Sequence, residues 1–548
     1  MQGVGRAAWM APLALATWCA QAAVPTSDEH LARQLQARVA GDRTGVCVQA
    51  AVIDGSTVRR AQACAGTRAS PSPDADAAFQ IGSVTKTMTA YLVADLVARG
   101  AWSLDDPIEK HLPPGTTVPR QGERRILLRD LLTHTAGLPP VPPGMAVRDP
   151  ADPYAAVDEK GVLAPLAAVA LTRPIGSQAE YSNWGMMLVS LAVSRALGEP
   201  VEPALRRRLF EPLGMAGAWV TPPARAKAAQ GHLPGGQPTP AWTIAPTLAG
   251  VGMVRATVDD MVRYLRAQLG DGPPEVVARM RMTQQPLAGG FAMNWGVLDR
   301  AGRRVLAHEG GTGGFSSVAM VDPASRQAVV VLADTALSDL GGLGDLGLSL
   351  LGLDVPVQAP RVEQPVPPEL ARAMAGTYQA GPLQLRVTAA EGRLMAQATG
   401  QPAFELAHDS RGDFYPRGFS ALLTPLASAP GDGPVQRFAW RQGGGLQEAV
   451  RIGDGAVQSA TSPAPAGQDW AGRYALAPQF AITVAYANGQ WTVQGTGQPA
   501  IPAQVAGPDQ LAIPAVGATV EFVRGADGQV TDAVLRQNGQ TLKGQRAR

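Results

Sequence analysis

The chain has 548 residues, which is long enough for a large hydrophobic core and for more than one domain. Its 47 lysine and arginine residues nearly balance its 45 aspartate and glutamate residues, so the charge does not indicate nucleic-acid binding. The six histidines show no metal-ligand spacing, because Thr312 stands where a zinc motif beginning at His308-Glu309 needs its second histidine. We therefore expect no metal and no cofactor.

The N-terminus has the composition of an export signal. Arg6 supplies a short basic region, residues 7–18 are mostly apolar, and Ala20-Gln21-Ala22 fits the small-x-small rule for cleavage. The apolar run is too short to cross a bilayer, and we predict no other membrane segment. Residues 1–22 are therefore predicted to be a signal peptide of an exported protein, either periplasmic or secreted.

Two strand-like runs, 46–53 and 57–64, flank the turn residues Asp54-Gly55-Ser56. A turn centred between Gly55 and Ser56 places Cys47 directly opposite Cys64, at a non-hydrogen-bonded position where side chains approach most closely. We predict a disulfide between them, which an oxidising compartment permits. The alternative is a pair of buried free cysteines.

A helical pattern starts near Ser83 and stops at Arg99-Gly100. Ser83 and Lys86 are three residues apart on it, so their side chains can meet on one helix face. Free backbone N–H groups at a helix start also favour a developing anion there. The pair can therefore form a serine nucleophile with a lysine partner, although a capping serine and a solvated lysine would give the same pattern.

The middle of the chain reads as helices, and residues 295–334 read as an antiparallel meander. We predict helices at 163–172, at 184–197 with Gly198 as its stop, and from Thr257 to 269. Strands are predicted at 295–298, 304–308, 315–321 and 328–332. Together with the N-terminal hairpin, they predict an α/β (α+β) domain over 28–354, with one antiparallel sheet and helices on both faces.

The rest of the chain repeats itself. Residues 355–368 form a proline-rich linker, after which short strand-like runs alternate with glycine turns. Ala375-Gly-Thr-Tyr378 returns as Ala471-Gly-Arg-Tyr474, and residues 399–403 return as 496–500 at nearly the same offset. We predict two small all-β modules, barrel or lipocalin-like, at 369–456 and 468–548.

Two further motifs follow the serine and lysine in chain order. Tyr181 and Asn183 stand two residues apart in an extended segment, so both side chains can face one pocket. The second motif is the glycine-rich run from His308 to Phe315, between two predicted strands. Taken singly, the first could be a packed tyrosine beside a capping asparagine, and the second a glycine-rich turn.

Together, these motifs resemble those of the serine β-lactamase and penicillin-binding protein superfamily. Ile81-Gly-Ser-Val-Thr-Lys86, Leu131-Leu-Thr-His-Thr-Ala-Gly-Leu-Pro139 and His308-Glu-Gly-Gly-Thr-Gly-Gly-Phe315 are similar to the class C β-lactamase-related, His-x-Gly branch. The resemblance spans roughly residues 30–350 and implies a β-lactamase/transpeptidase-like fold. A catalytic domain followed by two β modules also resembles the layout of D-aminopeptidases in this superfamily.

The resemblance implies roles for individual residues. Ser83 would be the acylated nucleophile, Lys86 would help to move its proton, and Tyr181 would be the base for attack and then the acid for the leaving group. The backbone N–H groups of Ser83 and Gly311 would form the oxyanion hole. The implied substrate-binding residues are Asn183, His308, Gly310, Gly311 and Thr312. His308 would be a polar or cationic group near Tyr181.

The third motif departs from the lysine-threonine-glycine that is frequent in the superfamily. His308 carries less charge than lysine, and Glu309 would repel a substrate carboxylate unless the strand turns it away. We therefore expect a hydrolase of peptide, amide or ester bonds, D-amino-acid peptidase-like, carboxypeptidase-like or β-lactamase-related, with cell-wall peptide among the candidate substrates.

Other functions are open at this point. One is a penicillin-binding or sensor protein that acylates but barely turns over. A Ser-His-Asp triad built on His134 has no G-x-S-x-G elbow to support it. The sequence predicts no nucleic-acid partner and gives no oligomeric state.

Overall fold

The computed structural model describes residues 24–381 without interruption and most of 383–547. Outside it lie residues 382, 391–392, 400, 402, 418, 420, 427–432, 443–444, 455–467, 478–479, 488–489, 497–500, 508, 514–517, 526, 538–539 and 548. The predicted signal peptide, 1–22, also lies outside the described residues. The chain divides between Glu363 and Gln364 into two compact units.

The first unit is built on a six-stranded antiparallel sheet with the strand order β2-β1-β12-β11-β10-β9. Its chain forms β1 Cys47–Asp54, β2 Thr57–Cys64, β3 Phe79–Gln80, β4 Arg120–Gln121, β5 Arg124–Arg125, β6 Gly231–His232, β7 Pro238–Thr239, β8 Arg255–Ala256, β9 Gly296–Arg300, β10 Arg303–Gly311, β11 Ser316–Asp322 and β12 Gln327–Ala333. The strands from β3 to β8 are short pairs outside the main sheet. The predicted hairpin and meander are thus neighbours in one sheet, joined where β1 pairs with β12.

The hairpin has the predicted register. Asp54 pairs with Thr57 across the turn, and Cys47 pairs with Cys64, with 4.1 Å between their Cα atoms. This separation is that of the closely spaced position in an antiparallel pair. The structure contains the predicted disulfide between the two cysteines.

We expect reduction of this disulfide to lower the free energy of unfolding. The bond closes a loop with a sequence separation of 17 residues, and cross-linking a loop of that size contributes about 3 kcal/mol through the unfolded state. Urea titration with and without reductant would measure the loss. The Cys47→Ala/Cys64→Ala double variant should have the lower stability and no response to reductant, and equal stability of oxidised and reduced wild type would contradict the expectation.

Helices cover both faces of this sheet, as predicted. They span α1 Asp28–Val39, α2 Thr85–Ala98, α3 Leu128–Leu132, α4 Glu159–Leu163, α5 Asn183–Leu197, α6 Val201–Leu205, α7 Glu211–Leu213, α8 Val258–Gln268, α9 Pro274–Thr283 and α10 Gly344–Leu350. On one face, Ala319 of β11 lies in the same core cluster as Leu265 of α8. On the other, Gly347 of α10 packs against Val318 and Met320.

Two helix predictions are confirmed and one is wrong. The helix α5 ends at Gly198 in the left-handed conformation, and Thr257 caps α8 by accepting from the Asp260 N–H. Residues 163–172 do not form one helix: α4 ends at Leu163, and a 3₁₀ turn over Ala164–Ala167 follows it. Pro165 lacks the N–H that a continuous α-helix would need at that position.

The second unit contains two closed β-barrels, in agreement with the predicted all-β modules. The strand β13 Glu363–Gln364 contains the boundary between the units. The elements that follow it are α11 Pro368–Met374, β14 Gly376–Ala380, β15 Leu383–Ala390, β16 Arg393–Ala398, β17 Phe404–Asp409, β18 Phe414–Pro416, β19 Leu422–Leu426, β20 Arg437–Gln442, β21 Gly445–Asp454, β22 Gly472–Ala477, β23 Phe480–Ala487, β24 Gln490–Gly495, β25 Ile501–Gly507, β26 Gln510–Ile513, β27 Ala518–Arg524, β28 Val530–Gln537 and β29 Gln540–Arg546. Strands β14 to β21 close through the β17–β18 pairing, and β22 to β29 form the second barrel. Closure leaves few free strand edges.

Equivalent contacts in the two barrels support the sequence repeat. The Tyr378 hydroxyl donates to the Met374 carbonyl at 3.0 Å, and the Tyr474 hydroxyl donates to the Trp470 carbonyl at 2.8 Å. Both tyrosines are fully buried. In each module, the tyrosine of the Ala-Gly-x-Tyr segment therefore makes the same hydrogen bond to the carbonyl four residues upstream. Within the described part of the chain, no helix is long and apolar enough to span a bilayer.

Candidate active site

Ser83 lies in a 3₁₀ turn, Gly82–Val84, that leads directly into α2. Gly82 has a φ of 52°, and a Cβ there would lie 2.6 Å from the Gly311 nitrogen at the end of β10. Only glycine satisfies both constraints. The same contact brings the Ser83 turn against the glycine-rich end of β10, so the first and third motifs meet.

Lys86 is one helical turn further on and is fully buried. Its Nζ lies 2.9 Å from Ser83 Oγ and donates to the Val251 carbonyl at 2.6 Å. Burial lowers the pKa of the Lys86 ammonium well below its usual range. Lys86 is therefore anchored by a backbone carbonyl, is in contact with the serine, and gives up its proton more readily than an exposed lysine does.

Tyr181 completes this cluster. Its ring centroid is 5.0 Å from Lys86 Nζ, and its hydroxyl lies near the Ser83 side chain. Burial raises the pKa of the Tyr181 phenol, and the nearby Ser83 hydroxyl opposes the rise. Tyr181 is thus a neutral phenol beside the serine.

Asn183 has a partner that the sequence does not reveal. Its Nδ2 donates to the Tyr154 hydroxyl at 3.2 Å. The residue that caps α5 is Ser182, whose Oγ accepts from the Gly185 N–H at 3.0 Å. Asn183 is therefore not the helix cap, and its side chain belongs to a polar wall shared with Tyr154.

His308 and Glu309 point to opposite faces of β10. His308 is 7% exposed, and its ring centroid is 6.2 Å from that of Tyr181. The Glu309 carboxylate instead accepts from the Leu343 N–H at 3.1 Å, at the start of α10. Strand alternation thus turns Glu309 away from Ser83. The expected repulsion of a substrate anion by Glu309 does not arise from this geometry.

Of the two states expected for His308, polar or cationic, its surroundings favour the neutral polar one. Burial, together with nearby Lys86, lowers the pKa of the His308 imidazole to about 3. Its Nδ1–H donates to the Glu309 carbonyl at 2.7 Å, which leaves Nε2 as an acceptor. Nε2 has no hydrogen-bond partner among the residues that the structure describes. His308 therefore presents a neutral acceptor.

We expect the His308 ring to stay neutral between about pH 5 and pH 8, because its pKa in the folded protein lies below that window. In NMR spectra followed against pH, the His308 C2–H resonance, assigned through its loss in His308→Gln, should not titrate in that window. In urea the same ring should titrate normally. Between the His308 pKa of the folded protein and that of the unfolded chain, the unfolded chain binds more protons. In that pH range His308 therefore makes the free energy of unfolding rise with pH, and above it the contribution is constant. A His308 resonance that titrates near its ordinary pKa in folded protein would contradict the assignment.

The glycines and Thr312 shape the edge of the cluster. A Cβ on Gly310 would lie 2.1 Å from the Ile81 carbonyl, and that carbonyl accepts from Ser317 Oγ at 2.7 Å. Gly310 therefore lets β10 lie against the Ser83 turn, and Gly311 follows with its nitrogen next to Gly82. Thr312 is 6% exposed, and its hydroxyl has no hydrogen-bond partner within the described chain.

Several contacts at this cluster were not predicted. His134 lies on Tyr181, with 4.5 Å between ring centroids, and does not pair with Ser83 as a triad would require. Trp242 packs edge-on against Tyr154 at 5.4 Å. Motif spacing signals neither Trp242 nor Val251, since Val251 contributes only its carbonyl. His134 lies within the Leu131–Pro139 motif, which did signal its importance without indicating its contact.

The arrangement can support acyl transfer. It holds a partly exposed hydroxyl against a buried amine and a phenol, next to the start of a helix and a glycine backbone that approaches closely. An adjacent base activates a serine hydroxyl, and fixed backbone donors stabilise a tetrahedral oxyanion.

Comparisons with known proteins agree with this arrangement. A family model described as Beta-lactamase matches residues 31–347. The D-alanyl-D-alanine-carboxypeptidase/endopeptidase AmpH of Escherichia coli is 32% identical over 200 residues, which cover 36% of this chain and 50% of AmpH. The chain therefore matches half the length of that relative. Penicillin-binding protein 4 of Amycolatopsis lactamdurans is 28% identical over 337 residues, which cover 56% of this chain and 85% of that protein.

A solved structure is also similar to the chain. The β-lactamase/D-alanine carboxypeptidase of Yersinia pestis, complexed with citrate, aligns with a TM-score of 0.48 and 25% identity, over 57% of this chain and 93% of its own. The family model covers more than half of the chain and includes the cluster at Ser83, Lys86 and Tyr181. The chain belongs to the Beta-lactamase family, within the serine β-lactamase and penicillin-binding protein superfamily.

Proposed function

We propose that this protein is an exported serine hydrolase that cleaves peptide, amide or ester bonds through an acyl-enzyme on Ser83. The observation that carries the proposal is the convergence of three side chains from two separate motifs. Lys86 Nζ lies 2.9 Å from Ser83 Oγ, and the Tyr181 ring centroid lies 5.0 Å from the same Nζ, with its hydroxyl near the serine. The predicted signal peptide supports export.

The electrostatics favour Lys86 as the first proton acceptor, rather than Tyr181 as the resemblance implied. A base must have a free lone pair when Ser83 attacks. Burial lowers the pKa of Lys86 and raises that of Tyr181, so near neutral pH the amine is the better acceptor and the phenol keeps its proton. The Val251 carbonyl accepts one N–H of the amine at 2.6 Å, which holds Nζ beside the serine.

The proposed cycle then has two steps. Ser83 Oγ forms a bond to the substrate carbonyl carbon as its proton passes to Lys86, and the N–H groups of Ser83 and Gly311 stabilise the oxyanion. The bond to the leaving group breaks as Tyr181 donates a proton to it, and the proton held by Lys86 restores the phenol. Water attacks the acyl-enzyme through the same groups in reverse and releases the acid.

The surroundings of the cluster favour substrates that present neutral hydrogen-bonding groups there. His308 offers a neutral acceptor, and the Thr312 hydroxyl is buried without a partner among the described residues. The Trp242 Nε1 atom would lie 2.5 Å from a Cβ on Gly313, so it is next to the glycine-rich run. Its N–H also has no partner in the described chain. Unsatisfied buried groups of this kind gain most from a substrate amide or ester. We therefore propose amides and esters as the first substrate class, and D-amino acids as their acyl groups because the domain layout resembles that of D-aminopeptidases.

A substrate panel tests the proposal. Protein from residue 23 onward would be incubated with D-alanine p-nitroanilide, short p-nitrophenyl esters, D-Ala-D-Ala peptides and a fluorescent penicillin, with Ser83→Ala as the control. AmpH and penicillin-binding protein 4 are named for the last two ligands, which is why the panel includes them. We expect Ser83-dependent turnover, with the highest kcat/KM on the amide or ester.

Two other results have defined meanings. A fluorescent penicillin adduct on Ser83 without turnover of any substrate would favour the alternative, a penicillin-binding or sensor protein. The absence of both acylation and Ser83-dependent turnover on the whole panel would refute the proposal that the protein is a hydrolase.

A further inference from the structure

We infer that His134 is a positioning residue that fixes the Tyr181 phenol for proton transfer to the leaving group, an inference that rests on the proposed function. His134 holds the backbone on both sides of Tyr181. Its carbonyl accepts from the Glu180 N–H at 2.8 Å, and its Nδ1 accepts from the Ser182 N–H at 3.2 Å. Between these two bonds, the imidazole lies on the Tyr181 ring, with 4.5 Å between centroids and 36° between planes. Three contacts from one residue thus determine where the Tyr181 side chain begins and how its ring lies.

The loop that carries His134 is itself held in place. Ser182 Oγ donates to the Pro139 carbonyl at 2.7 Å, and the Trp184 N–H donates to the Pro140 carbonyl at 3.1 Å. On its other side, the Asn294 N–H donates to the Leu132 carbonyl at 2.9 Å. The loop after α3 is therefore hydrogen-bonded along the segment from Glu180 to Trp184. Within this loop, His134 also contacts the side chain of Tyr181.

The backbone of His134 has an unusual conformation. Its φ is 58°, in the left-handed region that only a few per cent of residues other than glycine adopt, histidine, asparagine and aspartate more often than the rest. Such a conformation costs free energy and persists where the surroundings require it. Here it aims the carbonyl at Glu180 and the ring at Tyr181 at the same time, which an extended residue would not do.

The state of the ring suits positioning rather than proton transfer. Because Nδ1 accepts from a backbone N–H, the proton of the neutral imidazole lies on Nε2. That atom is buried and has no hydrogen-bond partner among the described residues. The ring is 2% exposed and also contacts Phe291 edge-on at 5.4 Å. His134 therefore acts through Tyr181 and is not itself in the proton path.

The test uses two variants that remove different parts of the contact. In His134→Asn the side-chain oxygen can replace Nδ1 as acceptor, and asparagine tolerates a positive φ, so the backbone bonds remain and the stacked ring is lost. His134→Ala loses both the acceptor and the ring. His111→Asn is the matched control, because His111 is another buried histidine that stacks on an aromatic ring, Trp102, at 4.3 Å.

The readout is the dependence on the leaving group. kcat/KM is measured on D-alanine p-nitroanilide, whose amine must be protonated to leave, and on the p-nitrophenyl ester of the same acyl group, which leaves as an anion. Displacement of the Tyr181 phenol from its position as general acid should lower kcat/KM on the anilide by about 10²-fold. We expect that loss for His134→Asn on the anilide, a loss of about threefold or less on the ester, a larger anilide loss for His134→Ala, and no change for His111→Asn.

A purely structural role would lower both rates of His134→Asn by the same factor, and that result would overturn the inference. So would an unchanged rate on the anilide. The failure of the proposed function is a separate result, since wild-type protein would then show no Ser83-dependent turnover of either substrate, and the inference would fall with it. If His134→Ala does not fold, the anilide-to-ester ratio of His134→Asn still decides between positioning and structure.

Discussion

Ser83→Ala is expected to lower kcat by at least about 10⁴-fold, since removing the nucleophile of a serine hydrolase leaves only binding and oxyanion stabilisation. The fold should be retained, because Ser83 lies in a short turn where its side chain is partly exposed. Turnover of the best panel substrate would measure the loss, and circular dichroism and the thermal midpoint would report folding.

Ser177→Ala is a suitable control for this substitution. Ser177 is an exposed serine whose hydroxyl donates to the Pro174 carbonyl. Its replacement should leave kcat unchanged. Retention of more than about a tenth of the activity in folded Ser83→Ala would contradict the assignment of Ser83 as nucleophile, because an enzyme that has lost its nucleophile cannot keep so much of its activity.

Lys86→Met is expected to give the second largest effect, a fall in kcat/KM of about 10³-fold, which is typical of the loss of a positioned base. Methionine has a similar shape and no charge, so the buried site should accept it without loss of stability. Lys86→Arg should not restore activity, because a guanidinium stays protonated and cannot accept the Ser83 proton.

The pH dependence follows from the direction of the Lys86 shift. Burial lowers the pKa in the folded protein, and the neutral amine is the active form. In the wild type, kcat/KM should therefore rise with pH through that lowered pKa and level off above it. The rising limb should be absent from Lys86→Met, present in His308→Gln, and unchanged in Lys110→Met, whose exposed amine pairs with Asp106 at 2.8 Å. If the rising limb persisted in Lys86→Met, the titrating group would be a residue other than Lys86, and the assignment would be wrong.

The sequence was sufficient where local pattern determines geometry. The turn at Gly55-Ser56 set the register that pairs Cys47 with Cys64. The sequence left open which way Glu309 points, and the structure turns it away from Ser83. Order along the chain was enough to indicate that Ser83, Lys86 and Tyr181 belong together. In the second unit, two echoed segments identified two modules whose tyrosines make the same hydrogen bond.

Other features depend on contacts that leave no pattern in a single sequence. Val251 holds Lys86 through a carbonyl that any residue type could supply. Tyr154 and Trp242 come from irregular loops, so no periodicity marks them. The protonation of His308 depends on burial by residues distant in the chain, so the sequence left a polar and a cationic group both open and the structure favours the neutral one. Pro165 was visible in the sequence, but its effect on the helix at 163–172 was misjudged.

The most direct test of the central claim is the mass of a trapped acyl-enzyme. Protein would be mixed with a penicillin or with an activated ester of a D-amino acid, quenched in acid within the turnover time, digested and analysed by mass spectrometry. The proposed mechanism predicts one added acyl group, on the peptide that contains Ser83, which is absent from Ser83→Ala. Turnover without any covalent adduct, or an adduct that persists in Ser83→Ala, would contradict it.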